Sequence, residues 1–326
     1  MERPRVSSPE LLQVRQAVRE SLAEFQPGDA IAVACSGGAD SIALAYALAL
    51  EVPHFSVKLS SITIDHQLQP GSADNAEKVS KILSTFDIQP TRVIRVEVNT
   101  KDGIEAGARV ARYSAFEKVC QSEGLAGIYL GHSLQDQAET VLMGLARGSG
   151  PRSIAGMRKL SGIYHRPLLD ISRDTLRKVA SEVGFIIDDP MNEDLRFTRV
   201  AIREEILPLM EKHLGGGVIE SLARTADLQS DDLLALDELA DAIYKNSIVS
   251  GELTADIAIH PKALRTRVIR LYLLEHGVDG GSLTLTHLTA ADALISDWRG
   301  QGALALPGGH TLSRISGRLL LAKREE

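Results

Sequence analysis

A glycine-rich turn lies between a short apolar run and a long helical pattern, in the string CSGGADS at residues 35–41. Gly37 and Gly38 let the backbone turn sharply and bring its N–H groups close to an anion, and the following helix presents its positive end there. The GxxxxGK pattern of the kinase P-loop is absent. The residue types favour a phosphate-binding turn, although a glycine pair alone is more often structural.

A second polar group lies at the start of a later predicted helix, in the string GHSLQDQAETVLMGLARG. At about 100° per residue, His132, Asp136 and Glu139 fall within about 60° of one another. The opposite side is apolar and consists of Leu134, Ala138, Val141, Leu142 and Leu145. Two carboxylates on one face offer the oxygen ligands that Mg²⁺ prefers. Two structural alternatives stay open: Ser133 and Asp136 fit a capping box, and Glu139 would be ordinary on an exposed face.

Two further sets of candidates are less distinctive. Asp65 and His66 follow an apolar strand pattern and could equally be turn residues. Glu105, Arg109 and Arg112 are spaced at i, i+4 and i+7 on one face of a predicted helix. The first two could simply form an exposed ion pair worth a few tenths of a kcal/mol.

The composition of the 326 residues excludes several classes of protein. The only cysteines, Cys35 and Cys120, form no CxxC or Cys/His spacing, which excludes a disulfide framework, a thiolate zinc site and an iron-sulfur cluster. Any metal must therefore use oxygen ligands. No apolar run approaches the roughly 18 residues of a membrane span, and the first residues lack the apolar core of a signal peptide. We expect a cytoplasmic protein without a membrane partner.

The net charge of −7 argues by itself against a nucleic-acid partner, but the charge is unevenly distributed. Residues 216–257 carry nine acidic and two basic side chains, whereas residues 258–326 carry nine basic and six acidic ones. A polyanion could therefore still bind at the C-terminal end.

The elements that must position these residues alternate between strand and helix. We predict strands at 30–35, 59–64, 91–98 and 126–131, with intervening helices at 40–50 and 104–124 and a further helix at 134–148. Such alternation predicts an α/β fold with a parallel, doubly wound sheet that binds its ligand at the carboxyl ends of the strands.

A glycine-rich turn at 214–217 predicts a domain boundary that separates residues 1–215 from 216–326. After it we predict a long acidic helix at 218–245, a strand near 252–258 and helices at 261–276 and 286–298. Three short strands follow, with turns at the GG and GR pairs. The second part is thus predicted to be a helical linker and a small α+β C-terminal domain.

Taken in order, the strings resemble one family. The SGGxDS string resembles the pyrophosphate-binding loop of the N-type ATP pyrophosphatases, or PP-loop proteins, whose fold is Rossmann-like. The order and spacing across about residues 28–215 are similar to those of the tRNA(Ile)-lysidine synthetases. The strings concerned are SGGADS, DHQLQPGS, ARVARY, HSLQDQAET, LARGSGPRSIAGM, RPLLDISRDTLRKVA, DDPMNED and FTRVAIREEILPLM.

The resemblance implies a two-step reaction that uses ATP and Mg²⁺. ATP adenylates the C2 oxygen of the wobble cytidine in an isoleucine tRNA with a CAU anticodon, releasing pyrophosphate. The ε-amine of free L-lysine then attacks C2 and expels AMP, leaving lysidine. The sequence leaves the oligomeric state open, with a homodimer among the alternatives.

The resemblance also implies roles for individual residues. Those expected to bind ATP are Cys35, Ser36, Gly37, Gly38, Ala39, Asp40, Ser41, Ile64, Asp65, Gly131 and His132. Asp40 and Asp136 are expected on the metal, and the expected catalytic residues are Asp40, Asp136, Glu139, Arg109 and Arg112. Glu139 or Asp136 would meet the lysine amine, while Arg109 or Arg112 would hold the α-phosphate or the lysine carboxylate. The expected tRNA contacts are Arg199, Arg203, Arg265, Arg267 and Arg270.

The chain departs from the common family pattern at Ser133, Gln135, Met191, Val200 and Ala201. Two alternatives remain. Another PP-loop enzyme, such as a tRNA thiolase or an amidotransferase-type synthetase, would share the loop, although thiolases of this type usually need cysteines that are absent. A non-catalytic RNA-binding relict would be expected to have lost Asp40 or Asp136, and both are present.

Overall fold

The computed structural model describes residues 7–68, 71–99, 101, 103–148, 150–187 and 194–323. The chain divides into two units, Met1–Gln229 and Ser230–Glu326. Each unit has a hydrophobic core of its own. The domain boundary after residue 215 stays a prediction.

The sheet of the first unit has the strand order β3-β2-β1-β4-β6-β5. Its strands are β1 (Ala30–Ala34), β2 (Lys58–Asp65), β3 (Thr91–Arg95), β4 (Gly127–Leu130), β5 (Leu160–Ser161) and β6 (Tyr164–His165). All neighbouring pairs are parallel except β5 with β6, which is antiparallel. The predicted parallel sheet is therefore confirmed, with one short antiparallel strand at its edge.

Helices cover both faces of this sheet, as predicted. The helices of the first unit are α1 (Pro9–Leu22), α2 (Ala39–Phe55), α3 (Ser72–Thr85), α4 (Ile104–Glu123), α5 (Leu134–Arg147), α6 (Pro151–Ile154), α7 (Arg173–Val183), α8 (Thr198–Ala201) and α9 (Leu207–Leu214). Ile31 and Val33 of β1 point into the core shared with α1, α2 and α7. Ala32 points to the other side, where Phe116 and Val119 of α4 pack. Alternate residues of one apolar strand are thus buried on opposite faces.

Two predicted strands end earlier than expected, and α2 continues to Phe55 instead of ending at residue 50. The strand expected at 91–98 ends at Arg95, because its neighbour β2 ends at Asp65 and the last backbone bond runs from the Val96 N–H to the Asp65 carbonyl. The strand expected at 252–258 ends at Thr254, and Ala255–Ile259 form a 3₁₀ helix. Helix α3, which was not predicted, follows β2.

The second unit contains an antiparallel sheet in the order β7-β8-β11-β10-β9. Its strands are β7 (Ile248–Val249), β8 (Glu252–Thr254), β9 (Leu304–Leu306), β10 (His310–Ile315) and β11 (Arg318–Lys323). Helix α10 (Val218–Ser247) leads into the unit, and α11 (Lys262–Glu275) and α12 (Leu285–Ser296) contribute to its core. This arrangement confirms the predicted small α+β domain. Within the described ranges of both units, no helix is long and apolar enough to cross a membrane.

Candidate active site

The loop between β1 and α2 depends on glycine at position 37. Gly37 has a φ of 91°, in the left-handed region that favours glycine. A Cβ atom there would lie 2.7 Å from Val79 Cγ2. Gly38 directly precedes α2, and no side chain caps this helix start. The positive end of α2 is therefore available to an anion at the loop.

Ser41 holds the loop in shape from inside the first turn of α2. Its hydroxyl donates to the Gly38 carbonyl at 2.9 Å and accepts the backbone N–H of Ser36 at 3.3 Å. The buried thiol of Cys35 lies 3.4 Å from the same oxygen, and burial raises the pKa of this thiol. The loop conformation is thus set by contacts among its own residues.

A cavity of about 480 Å³ opens at the carboxyl ends of β1, β2 and β4. The predicted residues that line it are Cys35, Ser36, Gly38, Ser41, Ile64, Asp65, Arg112, Gly131, His132 and Asp136. Lining residues that the sequence did not indicate include Ser72, Asn75 and Phe116. Gly37, Ala39, Asp40, Arg109 and Glu139 are not among the lining residues. The volume falls within the range of about 300–1,000 Å³ that small-molecule pockets span.

Asp136 forms the capping box that the sequence offered as an alternative, and its other carboxylate oxygen faces an arginine. Its Oδ2 accepts the backbone N–H of Ser133 at 2.8 Å and the Ser133 hydroxyl at 3.0 Å, which completes the capping box of α5. Its Oδ1 lies 2.8 Å from Arg173 Nη2. Although burial favours the neutral acid, Arg173 and His132 hold the pKa of Asp136 below its usual value.

Glu139 is completely buried, so the expectation of an ordinary exposed glutamate is wrong. Arg203 Nε lies 2.8 Å from its Oε1, and Arg173 and Arg199 approach at 3.4 and 3.7 Å. The expected burial of Leu145 on the apolar side is also wrong, since this side chain is 49% exposed in the last turn of α5. The buried and exposed sides of α5 therefore do not follow polarity.

Asp40 has a different environment from Asp136. Its Oδ2 lies 3.6 Å from Arg173 Nε, and its buried Oδ1 has no hydrogen-bond partner among the described residues. Burial, reinforced by the negative charge of Asp136, raises the pKa of Asp40 to about 6. Within the described ranges, no group of three or more His, Cys, Asp or Glu side chains could hold a metal. The carboxylates of Asp40 and Asp136 would supply only some of the ligands that Mg²⁺ needs. They fit an Mg²⁺ ion whose other ligands are phosphate and water.

Arg173, which we did not predict as a site residue, lies between the carboxylates of Asp40, Asp136 and Glu139. It is the first residue of α7, after the capping residue Ser172. A basic side chain at a helix N-terminus is unfavourable toward the helix dipole. That position, and the place of Arg173 in the string RPLLDISRDTLRKVA, are signals in the sequence that could have identified it.

The arginines predicted on α4 lie beside an aromatic ring. The guanidinium carbons of Arg109 and Arg112 are 4.9 and 5.6 Å from the Tyr113 ring centroid. Burial lowers the pKa of Arg112, and burial also holds the pKa of the neighbouring His132 below its ordinary value. Glu105 lies 3.4 Å from Arg199.

The predicted tRNA contacts fall into two places. Arg199 and Arg203 face Glu139 in the first unit. In the second unit, Arg265 pairs with Asp292 at 2.7 Å and Arg267 pairs with Asp237 at 3.0 Å. Arg270 lies 3.5 Å from the Gly280 carbonyl. Of the departures from the family pattern, Met191 lies outside the described residues.

The sheet order, the glycine loop and the cavity define a nucleotide-binding protein of the PP-loop class. A family model for the PP-loop domain matches residues 11–210, and one for the TilS substrate binding domain matches residues 254–320. A U34-tRNA thiolase, NcsA from Methanococcus maripaludis, shares the fold with a TM-score of 0.57 and 19% identity, over 68% of this chain and 80% of that one.

Relatives of known name narrow the class further. The tRNA(Ile)-lysidine synthase of Thermobifida fusca is 43% identical over 318 residues, which cover 96% of this chain and 98% of the relative. That of Streptomyces coelicolor is 45% identical over 298 residues, which cover 89% and 84%. The chain belongs to the tRNA(Ile)-lysidine synthase family.

Proposed function

We propose that this protein ligates lysine to C2 of the wobble cytidine of an isoleucine tRNA with a CAU anticodon, and converts ATP to AMP and pyrophosphate. The observation that carries the proposal is the meeting of the glycine loop with His132 and Asp136 on one cavity, in a chain of this family. We keep a cytoplasmic location as part of the proposal.

The loop side of the cavity suits ATP. The backbone N–H groups of the loop and the start of α2 would hold the phosphates, and Ile64 and Asp65 at the end of β2 would line the adenine. Asp40 and Asp136 would hold Mg²⁺, which supplies neutralisation of phosphate charge. The Oδ1 of Asp40 supports this role, because it has no hydrogen-bond partner among the described residues and a buried oxygen without a partner is costly.

The carboxylates and arginines of the site suit a substrate that carries both a positive and a negative charge, as a free amino acid does. Free lysine, with a pKa of about 10.4, is deprotonated in only about one part in a thousand near pH 7.4, a deficit of about 4 kcal/mol. A carboxylate is needed to bind the ammonium and to help remove a proton. Glu139, with Asp136 beside it, would do this, and Arg109 or Arg112 would hold the α-phosphate or the lysine carboxylate.

The tRNA must present an unstacked cytidine to the cavity, since the base cannot react within a stack. Arg199 and Arg203 lie next to the cluster and would contact the nucleotides nearest the reaction. Other phosphates of the tRNA would be met by the second unit, where Arg270 is the candidate without an acidic partner among the ion pairs of the described residues.

Mass analysis of nucleosides tests the proposal. The CAU isoleucine tRNA is incubated with the protein, Mg²⁺, ATP and lysine, and we expect a lysine-dependent conversion of one cytidine to lysidine with release of AMP. Asp40→Asn should abolish both products, whereas the exposed Arg177→Gln on α7 should leave both unchanged. Release of AMP without lysidine would indicate another PP-loop activity, and no AMP at all would indicate a non-catalytic relict.

A further inference from the structure

One guanidinium group contacts the carboxylates of Asp40, Asp136 and Glu139. Arg173 Nη2 lies 2.8 Å from Asp136 Oδ1 and 3.4 Å from Glu139 Oε1, while its Nε lies 3.6 Å from Asp40 Oδ2. The Arg173 side chain is 13% exposed, and those of Asp40, Asp136 and Glu139 are 20, 14 and 0% exposed. This cation therefore lies within the acidic group and not at its surface.

The start of α7 is built to place this side chain. The backbone N–H of Arg173 donates to Gln135 Oε1 at 2.8 Å, and the Ile171 carbonyl accepts the N–H of Leu134 at 3.0 Å. Ser172 caps α7 by accepting the N–H of Thr175 at 3.2 Å. These contacts tie the beginnings of α5 and α7 together, so the guanidinium cannot shift without a change of its own side-chain rotamers.

The three carboxylates do not have the same number of arginine partners. Glu139 has Arg203 and Arg199 as further partners, and Asp136 has Arg203 at 3.7 Å. Within the described part of the chain, Arg173 is the one cationic group within 4.0 Å of Asp40. Without it, two close carboxylates would repel each other in a partly buried place.

The proposed role of Asp40 and Asp136 as ligands of Mg²⁺ requires the same oxygens. Asp136 Oδ2 is occupied by the capping box, which leaves Oδ1, the atom that Arg173 contacts. A guanidinium and a divalent cation cannot share such a position, because both are positive and both need these oxygens.

We infer that Arg173 is a positioning residue that holds the place of the divalent cation: it keeps Asp40, Asp136 and Glu139 together before nucleotide binds, and withdraws when the cation enters. This inference rests on the proposed function for the identity of the metal ligands. Its consequence is an order of binding, since the site excludes a free divalent cation and accepts one only with ATP.

Direct binding of Mn²⁺ to the nucleotide-free protein, measured by the loss of its free electron paramagnetic resonance signal, tests the inference. Arg173→Gln should bind Mn²⁺ at least tenfold more tightly than the wild type. Arg173→Lys keeps the positive charge and should stay within about threefold of the wild type. Arg177→Gln removes an exposed charge from the same helix and should equal the wild type.

Equal affinity of wild type and Arg173→Gln for Mn²⁺, with both folded, would overturn the inference. A second measurement needs no destabilising variant: in ¹⁵N-arginine-labelled protein, the Arg173 side-chain resonance, identified by its loss in Arg173→Lys, should shift when Mg²⁺ and a non-hydrolysable ATP analogue are added together. An unchanged resonance would also count against it. Neither experiment contains tRNA or lysine, so a failure of the proposed ligation would show separately in the nucleoside analysis.

Discussion

At the scale of single residues, Gly37 and Gly28 separate two effects of a glycine. Both have positive φ, 91° for Gly37 and 97° for Gly28. A Cβ atom at Gly28 would meet nothing within 4 Å, whereas at Gly37 it would meet Val79 and Ile187. A residue with a Cβ atom would therefore strain the backbone at both positions, but it would clash with neighbouring side chains only at Gly37.

Replacement of each glycine by alanine should therefore have unequal effects. We expect Gly28→Ala to cost about 1–2 kcal/mol from the backbone alone, and Gly37→Ala to cost about 1–3 kcal/mol more through the clash. Only Gly37→Ala should also weaken ATP binding, because it displaces the loop. Thermal unfolding and ATP titration measure the two effects, and equal losses in the two variants would contradict this account.

Glu139→Gln tests the amine side of the site. The substitution removes a buried charge that faces Arg203 and Arg199, so we expect a loss of stability of about 3–5 kcal/mol. In the ligation assay the KM for lysine should rise at least tenfold, more than the KM for ATP. The exposed Glu205→Gln is the matched control. Equal rises for both substrates would remove Glu139 from the lysine site.

At the scale of elements, one polar contact links α1 to the sheet, and it lies among packed aromatic rings. The His165 ring of β6 stacks on Tyr129 of β4 at 5.0 Å between centroids, and Phe25 lies 4.9 Å away. The Ser21 hydroxyl of α1 lies 3.3 Å from His165 Nδ1. Burial lowers the pKa of His165, with Arg166 acting in the same direction and Glu24 opposing it.

This burial gives a pH dependence with a definite sign. The unfolded chain takes up a proton with the ordinary pKa of histidine, about 6.5, and the folded protein resists it. The stabilisation is present above pH about 6.5 and is lost as the pH falls toward the lowered pKa. In urea unfolding, His165→Phe should flatten this decline, while His213→Gln, at an exposed site, should not. An unaltered decline in His165→Phe would refute the assignment.

A short π-helical turn before α9 positions a side chain of the site. Residues Ile202–Ile206 form a π-helical turn between α8 and α9, and Arg203 lies within it. Such turns are frequent at functional sites. Here the turn places the Arg203 guanidinium on buried Glu139.

At the scale of the whole molecule, basic residues of the second unit divide into structural and available ones. Asp292 is only 4% exposed and is paired with Arg265. Arg267 is paired with Asp237. A phosphate would have to compete with these carboxylates, which makes Arg270 the better candidate for an RNA contact.

Two single substitutions separate these roles. Arg265→Gln should lower the unfolding temperature of the second unit, with a cost of about 3–5 kcal/mol, because a buried carboxylate loses its partner. Arg270→Gln should leave stability nearly unchanged, weaken tRNA binding and reduce the slope of log affinity against log salt by about 0.7–0.9. Filter binding across a salt series measures this slope, and an unchanged slope would exclude a phosphate contact at Arg270.

The sequence by itself determined strands β1 to β4 and β8 to β11, six of the helices α1 to α12 and the glycine loop, because periodicity and glycine conformation act over a few neighbouring residues. The order of these elements also predicted the edge of the sheet at which Ser36, Asp65 and His132 meet, since parallel strands bring their carboxyl ends together.

Only the tertiary structure decided which charges are paired. Arg173 reaches Asp40 across 133 positions of the chain, Arg203 neutralises a glutamate that helical spacing alone would leave exposed, and Arg265 pairs with Asp292. Such contacts depend on where distant segments cross. In partly buried surroundings each carboxylate needs a cation nearby, and the fold as a whole determines which arginine lies within reach.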